Sequence, residues 1–222
     1  DGGGDVDGDG GGDVDGDVDG DGDGDGDTVN AGGDTVGALN PARIFGRVAP
    51  LHLEIGFGDG EALLEMAAGN PGGDYLGAEV HRPGVGRALL QIEARGLANL
   101  RVCRADGARV LRALPPASLA AVYLYFPDPW PKKRHHKRRL LQAQFIALAA
   151  SRLARGGRFH FATDWRDYAL EALARLEECA ALANCARPGR FSPRPPTRPQ
   201  TKFERRGRRL GHAVWDIVMR RV

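Results

Sequence analysis

Residues 51–68 read LHLEIGFGDGEALLEMAA. The first five form an apolar run of strand length, and GEALLEMAA at 60–68 has the pattern of a helix. The turn between them carries three glycines, Gly56, Gly58 and Gly60. A short buried strand that passes through a glycine turn into a helix opens a βαβ unit. Glycine lets the turn close tightly and lets a ligand approach the backbone. The spacing is GxGxG, not the GxGxxG of a dinucleotide fingerprint. The turn alone is also compatible with a plain strand-to-helix connection.

The alternation continues outward. Strands are predicted at 75–80, 100–105, 118–126 and 157–163, and helices near 83–96, 108–114, 135–154 and 168–180. This predicts an α/β fold with a doubly wound, mostly parallel sheet covered by helices on both faces. The Pro- and Arg-rich stretch RPGRFSPRPPTRPQ at 187–200 leads to a terminal strand at 212–221. That strand is predicted to add antiparallel at the sheet's edge.

The front of the chain differs. Residues 1–34 hold 13 Asp and no Lys, Arg or Glu. Like charges with almost no apolar side chain cannot offset the entropy of ordering, so this segment is predicted to be disordered and 35–222 to be the folded domain. Its Asp/Gly spacing lacks the terminal Glu of an EF-hand loop and the regular register of a calcium-binding β-helix, and no metal site is predicted. The net charge of +2 is therefore −13 from residues 1–34 and +15 from the remainder. A basic excess of that size points towards a polyanionic partner. The three cysteines, Cys103, Cys179 and Cys185, show no CxxC pair, which argues against disulfides and zinc. No apolar run approaches the ~20 residues of a membrane helix. The start of the chain has no signal-peptide pattern, so no membrane association and a cytoplasmic location are expected.

Three acids fall at the carboxyl ends of successive predicted strands: Glu54, Glu79 and Asp106. Ligands of open α/β sheets bind in the crevice at those ends. Glu79, 19 residues past Gly60, is placed to accept from ribose hydroxyls, and Asp106 to meet an adenine amino group. Each alone is also a plausible helix cap. A fourth motif follows the fourth strand: Tyr125-Phe-Pro-Asp128-Pro-Trp130-Pro-Lys132-Lys133-Arg134-His135-His136-Lys137-Arg138-Arg139. Prolines at 127, 129 and 131 remove backbone donors and stiffen the loop around Asp128. Behind it stand six Lys/Arg and two His in eight residues.

This run closely resembles the tRNA guanine-N7 methyltransferase family. So do Ala162-Thr163-Asp164-Trp165 and Thr201-Lys202-Phe203-Glu204-Arg205-Arg206-Gly207, in the same order along roughly residues 40–222. The chain departs from the family at the front, where an acidic segment replaces a basic arm thought to help hold tRNA. The resemblance implies S-adenosylmethionine as cofactor and a guanine of the tRNA variable loop as substrate. It implies that Glu54, Gly56, Gly58, Gly60, Glu79 and Asp106 bind the cofactor. Asp128 would be the catalytic or guanine-orienting acid and would also border the cofactor. Lys132 and Asp164 would contact the substrate nucleotide, and Thr201, Lys202, Phe203 and Glu204 would close over it.

Two readings stay open for several residues. Thr201-x-x-Glu204 is also a capping box. Trp130 either stacks on a base or anchors its loop. Lys133, Arg134, Lys137, Arg138 and Arg139 are expected to hold tRNA phosphates, joined by eleven Lys/Arg in 187–222. No obligatory protein partner is expected. The alternatives are a methyltransferase for another RNA base, and a catalytically silent RNA-binding module on the same fold. The intact set of four acids argues against the second.

Overall fold

The computed structural model describes residues 38–209 and 211–222, so the acidic segment at 1–34 and its expected disorder lie outside the described residues. The first element, helix α1 (Pro41–Phe45), was not expected. It is a single turn, too short for periodicity to reveal. Pro41 opens it, and the Asn40 side chain accepts from the Arg43 amide.

Strand β1 (Leu51–Ile55) and helix α2 (Glu61–Gly69) realise the opening βα unit. Strand β2 (Asp74–Glu79), buried at every position, is followed by α3 (Arg82–Arg95), β3 (Leu100–Arg104) and α4 (Gly107–Ala113). Next come β4 (Leu119–Tyr125), α5 (Ala143–Arg152), β5 (Leu153–Thr163) and α6 (Arg166–Glu177). The chain ends with β6 (Leu182–Asn184), α7 (Lys202–Arg209) and β7 (Trp215–Arg221). The strands form one sheet in the order β3-β2-β1-β4-β5-β7-β6. β1 to β5 run parallel, while β7 is antiparallel to both β5 and β6. The order reverses between β1 and β4, and the crevice above that point is where an open α/β sheet takes a ligand. Leu53, Leu111, Leu119, Val122, Phe159, Phe161 and Ile217 fill the core beneath it.

Three expectations need correction. The helix expected at 135–154 is broken. Lys133–Arg138 forms a 3-10 helix, and α5 begins only at Ala143. Eight residues with six cations and no acid offer no i,i+4 attraction, so nothing local holds them in an α-helix. Arg139 has an extended backbone and turns its side chain inward. The strand expected from residue 157 starts at Leu153, because the ladder to β4 shifts register between Leu119/Ala121 and accommodates the glycines at 156 and 157. The terminal strand is antiparallel as expected, yet β7 lies between β5 and β6. The outermost strand is β6, three residues that carry no readable alternation. No helix among the described residues is long and apolar enough to cross a membrane.

Candidate active site

The glycine turn after β1 puts Gly56, Gly58 and Gly60 at positive φ, a region costly for other residues. At Gly84, in the first turn of α3, a Cβ would fall 2.2 Å from the Gly58 carbonyl oxygen, so α3 packs directly on the turn. Glu79 fixes the turn from the other side. One of its carboxylate oxygens accepts from Gly58 N at 2.8 Å; the other accepts from Val80 N at 2.7 Å and His81 N at 2.9 Å. Four lone-pair sites less three donors leave Glu79 capacity for one further hydroxyl. The acid therefore shapes the loop.

Glu54 is the opposite case. It is 3% exposed, and its Oε2 has no hydrogen-bond partner. Burial, and then the nearby Glu79 charge, push its carboxyl up from 4.5 to about 8. A buried acceptor without a donor is costly unless a ligand supplies one. Glu54 lines a cavity of about 190 Å³ together with Gly56, Gly58, Tyr125, Phe126 and Thr201. The β1 turn, the end of β4 and the entry to α7 thus meet around one space. A cationic, hydrogen-bonding ligand fits this donor-poor, acceptor-rich wall. Asp106 sits at the end of β3 as the N-cap of α4, its Oδ1 accepting from Arg109 N at 3.0 Å. The helix-cap reading holds for it, and it is exposed.

The Asp128 loop is strained at both ends. Phe126 has φ 50 and Trp130 φ 44. Left-handed backbone at such residues costs of order 1–3 kcal/mol each and persists only where surroundings impose it. Phe126 N donates to Ala162 O at 2.8 Å. Trp130 lies between Arg138, 5.0 Å above its ring, and the edge of His135 at 5.9 Å, which supports the loop-anchoring reading. Asp128 itself is exposed and makes no bond to any described residue. Lys132, Lys133, Arg134, Lys137 and Arg138 are exposed beside it.

Arg139 corrects the expectation of a phosphate contact. Its side chain is fully buried; Nε donates to Pro129 O at 2.8 Å, Nη2 to Asp167 at 2.9 Å, and Nη1 pairs with Glu171. Asp164, half-buried after β5, faces α7, with His212 at 3.8 Å. Thr201 lines the cavity, and its Oγ1 accepts from Glu204 N at 3.2 Å, which forms the Thr201 half of the capping box. Glu204 is wholly buried and points at Arg198 rather than outward, so it holds α7 down instead of offering a carboxylate at the surface. The side chains of Lys202 and Phe203 lie outside the described residues.

A polar chain that the sequence did not announce joins two walls of the cavity. Tyr125, on one wall, meets His160 Nδ1 at 3.0 Å, and His160 Nε2 meets Asp216 at 2.7 Å. Burial lowers the His160 pKa against the pull of Asp216, which keeps the ring neutral. A carboxylate only accepts, so Nε2 carries the proton and Nδ1 accepts from the Tyr125 hydroxyl. Arg198 then bridges Asp216, at 2.7 Å, and Glu204, at 2.6 Å, and so reaches the helix that Thr201 caps. Arg205 adds a tie from α7 to Glu61 of α2 at 2.5 Å.

Comparison with known proteins agrees with this architecture. Residues 48–217 match the family model described as "Putative methyltransferase". The aminoglycoside resistance methyltransferase NpmB1 superposes with a TM-score of 0.58 at 14% identity, over 83% of this chain and 94% of that one. The 16S rRNA methyltransferase KamB gives 0.58 at 19%, over 81% and 91%. These likenesses are of fold, and with the family model they define a methyltransferase domain. Closer relatives are tRNA (guanine-N(7)-)-methyltransferases. The protein of Methylococcus capsulatus is 56% identical over 85% of this chain and 82% of its own length. That of Thiobacillus denitrificans is 59% identical over 80% and 78%. This chain belongs to the tRNA (guanine-N(7)-)-methyltransferase family.

Proposed function

We propose that the chain transfers a methyl group from S-adenosylmethionine to N7 of a guanine in the variable loop of tRNA. The observation that carries this reading is the buried carboxyl of Glu54, with its Oε2 unpartnered, beside the glycine turn in a cavity that Phe126, at the start of the Asp128 loop, also lines. When bound, the cofactor supplies a methyl group already activated on a sulfonium. Glu54 would accept from its cationic methionine portion, Glu79 from a ribose hydroxyl and Asp106 from the adenine. Guanine N7 carries an in-plane lone pair and no proton, so no general base is needed. The task left to the protein is alignment. Asp128, rigid and unengaged, would accept from guanine N1–H and N2–H and favour a ring that gains positive charge. Lys132 and Asp164 would contact the substrate nucleotide, and Lys133, Arg134, Lys137 and Arg138, all exposed, would offer phosphate contacts. The test is incubation of purified tRNA with methyl-labelled cofactor, followed by nucleoside analysis. Label in 7-methylguanosine is expected; label in another nucleoside, or none, would sink the proposal.

A further inference from the structure

We infer that Arg139 is a positioning residue for the methyl-transfer site, holding the Asp128 loop in its reactive shape; this rests on the reading of Asp128 given above. The loop cannot hold itself. Prolines at 127, 129 and 131 supply no amide donors, and both Phe126 and Trp130 sit at positive φ. Its Pro129 carbonyl, next to Asp128 in the chain, receives a donor from outside: Arg139 Nε at 2.8 Å. The guanidinium is fixed in turn by Asp167 and Glu171 of α6, and lies 4.8 Å over the Tyr168 ring of the same helix. His136, Asp167 and Glu171 have the spacing of a small cation site, and the cation between the two carboxylates is the chain's own arginine. One planar fork therefore connects a rigid helix to the loop that carries the substrate acid. Its neighbours Arg138 and Lys137 are exposed, so this one cation in the basic run has a different job.

Arg139→Lys keeps the charge beside Asp167 and Glu171, but its donors sit on a single nitrogen and cannot span Pro129 O, Asp167 and Glu171 as the planar guanidinium does. Turnover at saturating tRNA, normalised to the sites that bind S-adenosylmethionine, should fall about tenfold to a hundredfold, as expected for a small misplacement of a reacting geometry. KM for tRNA, the salt dependence of tRNA binding and cofactor affinity should hold within about twofold. The decisive measurement is the double variant with Asp128→Asn. If Arg139 acts through Asp128, the double variant is no slower than Asp128→Asn alone. Additive losses, or wild-type turnover in Arg139→Lys, would overturn the inference. A weaker, less salt-dependent tRNA affinity at normal turnover would overturn it too, in favour of a phosphate contact. Wild-type turnover in Asp128→Asn would instead remove the reading of Asp128 on which the inference stands. Should Arg139→Lys fail to fold, Glu171→Gln leaves Arg139 in place with a loosened anchor. A turnover loss that vanishes in the Asp128→Asn background supports the inference, and an unchanged rate overturns it.

Discussion

Glu54 shows how much one side chain can be asked to do. It stays protonated in the folded, ligand-free protein up to about pH 8 but ionises from about 4.5 when unfolded. The folded state therefore binds the extra proton between those values. The contribution of Glu54 to stability is full below 4.5 and is lost as pH rises towards 8. Thermal unfolding from pH 5 to 8 should show this loss in the wild type, and Glu54→Gln should lack that share of it. Cofactor binding should reverse the preference, because a cationic ligand favours the carboxylate. At pH 7 binding should release protons, read as a dependence of calorimetric heat on the buffer's ionisation enthalpy. Equal heats in all buffers would show that Glu54 does not meet the cofactor's charge. Asp128 makes the companion prediction. Asp128→Ala should abolish most single-turnover methylation at saturating tRNA while cofactor affinity stays within about twofold, since the carboxylate is read as meeting the guanine. Wild-type rates would reduce Asp128 to a shaper of its loop. Both acids were legible in the sequence, because each stands in a pattern that local rules read: a strand end before glycines, and a loop clamped by prolines. Arg139 was not. Its partners Asp167 and Glu171 lie 28 and 32 residues away, and nothing within its own run of cations distinguishes the one that turns inward.

Among the elements, α7 depends most on distant neighbours. Its sequence carries a capping box, of which the Thr201 half is formed, but a cap fixes only where a helix starts. Arg198 fixes where it lies. Buried between Glu204 and Asp216, it ties the helix to β7 and, through His160, to Tyr125 on the cavity wall. Removing one member of a buried ionic group leaves charges uncompensated. Arg198→Ala should therefore cost about 3–5 kcal/mol in denaturant unfolding, whereas Thr201→Ala should cost about 1 kcal/mol and Thr201→Ser much less. An Arg198→Ala loss below that of Thr201→Ala would mean that the network contributes little. The parallel strands and α2, α3, α4 and α6 were legible to within a few residues because period and punctuation agree there. α1 and β6 were hidden by brevity, and the 3-10 helix by a run of cations whose outcome is decided by α6.

At the scale of the molecule, charge is divided between −13 in residues 1–34 and +15 in the rest. Binding of tRNA should weaken linearly in log–log salt titrations, with a slope of about 0.7–0.9 per phosphate neutralised. Replacing Arg134 and Lys137 by Ala should reduce that slope by about one to two and leave cofactor affinity alone. An unchanged slope would place the phosphates elsewhere on the domain. Deleting residues 1–34 should tighten tRNA binding at low salt, with the gain fading as screening over ~10 Å sets in near 0.1 M; weaker binding at every salt concentration would show that the acidic segment assists instead. The position of β7 has a further consequence, for biosynthesis. Because Trp215–Arg221 is threaded between β5 and β6, β5 is paired on its β4 side alone and β6 has no partner until those seven residues leave the ribosome. Until then the nascent chain presents the apolar edge of β5 unpaired, a template for intermolecular pairing. Polypeptides halted shortly before Trp215 are therefore expected to depend on chaperones or meet proteases, although they already contain every acid of the crevice.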